Sequence, residues 1–159
     1  MPVRLATLST VFAHVVAPLL VGGLVYLGLR AEGLLLFGWA DWLGAGGLVH
    51  AWRDLLAPLA PLAPAWVRFS LPDALWTYAL AWTLTQIWRD GPRAVLIAAL
   101  AIPVALGPGA ELGQWLGVIP GTCDPVDVAL TALACVAGAA VAMACSEVKG
   151  SRSKWQSGS

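Results

Sequence analysis

The segment Glu111 to Asp127 reads ELGQWLGVIPGTCDPVD, and the rest of the chain is organised around it. Glu111 falls at or near the end of a long apolar segment, and Gln114 follows one turn later. A Pro-Gly turn, Pro120-Gly121, then leads to Asp124-Pro125-Val126-Asp127, which opens the last apolar helix. A charge at membrane depth costs at least about 2.5 kcal/mol, so it is satisfied by protein or water, or it has a function.

Composition identifies the solvent. The chain has 159 residues, 59% hydrophobic and 11% charged, against roughly 25% charged in soluble domains. Mean hydropathy is +0.78. That much apolar surface exceeds what one globular core could hide, so the lipid bilayer is the expected partner. The net charge of zero offers nothing to nucleic acid. Many of the nine tryptophans lie near the ends of apolar runs, where an amphipathic ring favours the headgroup region. Cys123, Cys135 and Cys145 form no CxxC pair. Cys135 and Cys145 are separated along one helix by roughly 15 Å and cannot bridge within a chain. They read as small apolar filler.

Working outward in chain order, a short basic start with Arg4 precedes an apolar run from Thr7 to Leu29, closed by Arg30 and Glu32. The run is long enough to span a bilayer and long for a signal peptide, so a retained span is expected. His14 inside it is expected to face the bundle as a hydrogen-bonding group, and Pro18 to kink the helix. Residues 33–67 mix leucines with Trp39, Asp41, Trp42, His50, Trp52, Arg53 and Asp54. They suit an amphipathic stretch in the interface or a re-entrant segment, with a fifth span at 34–52 as the alternative. Pro58, Pro61 and Pro64 end any helix there.

Ser70 and Asp73 have capping-box spacing at the head of the next span, which runs to Trp88. Arg89-Asp90-Gly91-Pro92-Arg93 is a charged turn. The following span starts near Ala94. Continued as one kinked helix past Pro103 and Pro108, it reaches Leu116 and is long enough to cross. On that reading Glu111 lies in the last two turns, where the helix dipole disfavours it. Glu111, Gln114 and Trp115 then share a face. In the last helix Asp124 fits the N-cap, Pro125 the first position and Asp127 the third. Ala134, Gly138, Ala142 and Ser146 form a small-residue stripe suited to close packing.

The expected fold is all-α, a polytopic transmembrane bundle of four spans: a single membrane domain, 1–148, and a polar, disordered cytoplasmic tail, 149–159. With four spans, Arg4, Arg89, Arg93, Lys149, Arg152 and Lys154 share one side, and Arg30, Arg53 and Arg68 the other. The positive-inside rule makes the first side cytoplasmic. Asp73, Glu111, Gln114, Asp124 and Asp127 then face outward as the candidate ligand or partner contacts.

Glu111-x-x-Gln114, Pro120-Gly121, and Asp124 with Asp127 before a small-residue helix resemble the VanZ-like family of bacterial membrane proteins, as does Asp73 at the head of an earlier helix. The resemblance covers residues 70–146. Thr122 stands where that family commonly has a basic residue, and Ala74 and Thr77 where Lys and His often follow the Asp. The resemblance implies a location in the bacterial inner membrane and a link to the cell envelope. The family's namesake is associated with low-level teicoplanin resistance.

Three functions are expected from these readings. One is a non-catalytic protein binding an envelope component or partner protein. Another is an accessory subunit of a larger membrane complex, or a homo-oligomer. The third is a membrane enzyme acting on a lipid-linked precursor, which would need basic groups for phosphate where few are available. Nucleophile, metalloprotease and phosphate-loop motifs are lacking. The carboxylates would suit a hard cation by type, but their spacing carries no ligand signature. Catalytic, cofactor and metal residues are therefore not assigned.

Overall fold

The structure is a computed structural model that describes residues 8–31 and 35–156, with side chains to Cys145. The readings on Arg4, Glu32 and the side chains of Ser146, Lys149, Arg152 and Lys154 lie outside the described residues. The described residues form helices and connecting turns, without strands. In order they are α1 (Leu8–Leu29), α2 (Leu35–Trp42), α3 (Gly46–Leu56), α4 (Ala65–Phe69), α5 (Leu71–Trp88), α6 (Arg93–Leu106), α7 (Pro108–Trp115) and α8 (Pro125–Gln156).

Helix α1 and the Pro125–Cys145 part of α8 are long and apolar enough to cross a membrane, and α6 with α7 is a third candidate if the bent pair counts as one span. Their surfaces agree with that solvent. Phe12, Leu20 and Leu24 of α1, Ile97 and Ile102 of α6, and Leu133, Val136 and Met143 of α8 are all exposed. Such extended apolar surface is abnormal for a soluble monomer.

Helix α5 is the hub. It packs against α1, α6 and α8 and carries much of the core: Ala79, Ala81, Trp82 and Thr85 are buried, Trp82 to 2% exposure. Its polar residues explain why it is less apolar than its neighbours. Thr83 and Thr85 donate to carbonyls one turn back, of Ala79 and Ala81. Gln86 donates to the carbonyl of Ala142 in α8. His14 meets α5 as expected, with its Nδ1 2.8 Å from the Tyr78 hydroxyl and its ring stacked on Trp82. Around it, Phe12–Val16 form a π-helical turn, and the Ala17 amide bonds back to Phe12. Such a turn shifts the carbonyl register just before Pro18, which has no N–H to offer.

Helices α5 and α8 run parallel and nearly touch. A Cβ on Gly138 would lie 2.5 Å from the Tyr78 carbonyl oxygen and 3.1 Å from the Trp82 nitrogen, so only glycine fits. The close-packing expectation holds, but the face is rotated. The buried positions are Thr131, Cys135, Gly138 and Ala142, spaced four, three, four, instead of Ala134, Gly138 and Ala142 at strict fours. An α-helix turns 3.6 residues per cycle, so a stripe of strict fours drifts off the contact line.

Three local expectations are corrected. The described part of 34–52 contains no helix long enough to cross by itself: α2 has 8 residues and α3 has 11, with a turn between them at Gly44, where φ is +73°. They are ~12 and ~17 Å long, well short of a ~30 Å hydrocarbon core. The capping box at Ser70 does not form. Helix α4 runs almost directly into α5, so Ser70 sits in the right-handed helical region and makes no cap bond. Its hydroxyl is buried without a partner among the described residues, and Asp73 is left for another contact. Finally, α6 and α7 are two helices bent by 50°, which changes the setting of Glu111.

Candidate functional site

The break after Leu106 starts a new helix with Pro108 at its head, so Glu111 belongs to the first turn of α7. The expectation of a late-helix position is overturned, and with it the sign of the dipole contribution. A carboxylate in a first turn is stabilised by about 0.3–1 kcal/mol at an exposed site. Pro108 lacks an N–H and Gly107 takes a non-helical conformation (φ −90°, ψ −100°). Together they allow the chain to restart instead of merely kinking.

Glu111 reaches across the turn. Its Oε2 accepts from the Asp124 backbone N–H at 3.2 Å, while Asp124 Oδ1 accepts from the Val126 N–H at 2.8 Å. Asp124 is therefore the N-cap of α8, as its spacing implies. In a capping box the acidic residue at the third helical position bonds the N-cap amide. Here Glu111 does this from another helix, and the residue at the third position, Asp127, is released. Asp127 Oδ1 is buried without a hydrogen-bond partner among the described residues.

Asp73, in the first turn of α5, is held by Arg30, whose Nη2 lies 2.9 Å from Asp73 Oδ2. Arg30 also donates to the carbonyls of Arg68 and Phe69 and lies 4.9 Å from the centre of the Tyr26 ring. Arg53 in α3 donates to the carbonyls of Leu27 and Arg30, satisfying the open C-terminal end of α1. The end of α1 and the start of α5 are thus held together.

Asp73, Glu111 and Asp127, from three helices, line one cleft of about 380 Å³. Thr77 and Thr131 line its floor, and Trp76, Leu80, Pro103, Leu106 and Ala110 supply apolar walls. Of the five predicted contact residues, the structure brings these three acids together. Asp124 is used as a cap. Gln114 supports the turn: a Cβ on Gly121, whose φ is +140°, would fall 2.7 Å from the Gln114 side-chain carbonyl carbon. The glycine is required there both for its backbone angle and for the space that the Gln114 amide fills.

Sequence reasoning missed Arg30 as a partner of Asp73, and missed the two threonines. The threonines did leave a signal. Asp73-x-x-x-Thr77 and Asp127-x-x-x-Thr131 are the same pattern at the heads of two helices, and the parallel α5–α8 pair sets them side by side. Thr131 is buried and donates to the Asp127 carbonyl at 2.7 Å. Chemically, the cleft can accept hydrogen bonds from hydroxyl or ammonium groups against an apolar wall. Among the described residues no group of three His, Cys, Asp or Glu side chains is arranged to hold a metal ion. No family model matches the chain, and neither a curated protein nor a solved structure matches it.

Proposed function

We propose that the chain is a VanZ-like, four-span protein of the bacterial inner membrane with both ends cytoplasmic. It binds an envelope component or a partner protein through its outward-facing acidic cleft. The spans are α1, α5, the α6–α7 pair and α8. Helix α5, with 18 residues, is ~27 Å long, and its Thr77 and Thr85 are buried against the surrounding helices. The contact of Arg30 with Asp73 supports this path, because a fifth span between them would put the two on opposite sides.

The observation that carries the binding role is the convergence of Asp73, Glu111 and Asp127 on one cleft, with Asp127 Oδ1 left without a partner among the described residues. A carboxylate oxygen with no partner costs roughly 1–3 kcal/mol, and a ligand donor would recover it. Purification in lipid nanodiscs followed by native mass spectrometry tests the proposal. The wild-type chain should carry a stoichiometric small molecule or protein, and Asp127→Asn should lose it while remaining folded. A wild-type chain that carries nothing, or a variant that keeps its passenger undiminished, would count against the cleft.

A further inference from the structure

We infer that the α2–α3 hairpin is a membrane-surface anchor, lying in the headgroup–acyl boundary on the side of the bilayer where the acidic cleft opens. The inference rests on the reading of α1 as a span. Helix α1, with 22 residues, is ~33 Å long, close to the ~30 Å hydrocarbon thickness, so its end at Leu29 marks the boundary. Helix α3 is pinned at that end. Trp52 donates to the Leu24 carbonyl, Arg53 to those of Leu27 and Arg30, and the Leu56 side chain packs at Gly28. These contacts lie between Leu24 and Arg30, within ~9 Å of helix rise.

At that level the surface of α3 divides into three. Val49 is buried, and Trp52 and Arg53 turn the same way onto α1. Leu48 and Leu55, 75% and 67% exposed, lie on one flank. His50 and Asp54, also exposed, lie on the other, about 130° away at ~100° per residue. Helix α2 adds exposed apolar surface of its own: Leu35, Trp39 and Trp42, spaced four and three, are exposed along one face. An apolar flank opposed to a polar one, with tryptophans, at the level of a span's end, has the chemistry of a helix lying ~5–10 Å into the interface. The occupant of the flank is lipid. A second copy or a protein partner would not require the polar flank on the opposite side.

The test is the depth of single nitroxide labels at Leu20, Leu48, His50, Asp54 and Leu55, with the native cysteines replaced by alanine. The full chain is placed in phosphatidylethanolamine/phosphatidylglycerol vesicles, and collisions with oxygen are compared with collisions with a water-soluble nickel chelate. Leu20 should report the hydrocarbon centre, Leu48 and Leu55 the interface, and His50 and Asp54 water. A Leu20 label outside hydrocarbon overturns the spanning reading itself. With Leu20 in place, the anchor is overturned if Leu48 and Leu55 are as nickel-accessible as His50, lie at mid-bilayer depth, or are shielded from both reagents. A benzophenone amino acid at Leu48, with the cysteines intact, serves as a second measurement. It should crosslink to lipid, and crosslinking only to protein would reject the anchor.

Discussion

The α5–α8 pair behaves differently along its length. At its middle the two backbones touch, with Gly138 against the Tyr78 carbonyl. At the end that carries Asp73 and Asp127 the same helices border a cleft of about 380 Å³. Side-chain size explains the change: glycine and alanine close the seam, while Asp73, Thr77, Asp127 and Thr131 hold it open. Helix α7 then adds Glu111 to the opening. The closed part supplies rigidity and the open part a place for chemistry, so substitutions at the two ends should have effects of different kinds.

The largest effect is expected at Gly138. Gly138→Leu has no room beside α5 and should cost about 3 kcal/mol or more. A sharp fall in thermal midpoint and in monodisperse yield from detergent would reveal it, and a normal melting curve would mean the seam is not closed. Arg30→Ala should come next, at about 2 kcal/mol, because it removes charge-assisted hydrogen bonds to Asp73 and to two carbonyls. Denaturation in mixed micelles would measure it, and Arg30→Lys should recover only part, since a single ammonium cannot reproduce the fork.

Glu111→Ala should cost about 1 kcal/mol, through the Asp124 amide and the favourable dipole position. Hydrogen exchange at the Asp124 amide should rise with it. An unchanged exchange rate would return Glu111 to a role outside capping. Asp127→Asn is expected to have the smallest effect on stability, within about 0.5 kcal/mol, together with the loss of any co-purified ligand. That dissociation of binding from stability sharpens the contrast. If Asp127→Asn destabilised the fold as much as Gly138→Leu, the open end would be structural too.

Legibility in the sequence followed the range of the interaction. The N-cap at Asp124 was readable because the cap bond joins residues two apart. The Ser70–Asp73 box was not, because α4 carries helical geometry through Ser70 and removes the extended N-cap that the motif assumes. The setting of Glu111 turned on whether Pro103 and Pro108 kink one helix or divide two. Composition permits either, and the dipole contribution has opposite signs in the two cases.

The sequence by itself determined that the protein is helical, that long stretches are apolar enough for a bilayer, and that an acidic segment opens the last helix. These follow from local composition and from bonds between near neighbours. Only the tertiary structure decided that Asp73, Glu111 and Asp127 share a cleft, that Arg30 holds Asp73, and that Glu111 caps α8 in place of Asp127. The two hydrogen bonds join residues 13 and 43 positions apart, and the cleft joins acids on three different helices, so all of them depend on how the helices pack. For α5 and α8, glycine and alanine at the seam set how closely the two helices approach, and that is a property of the packed pair, not of either helix alone.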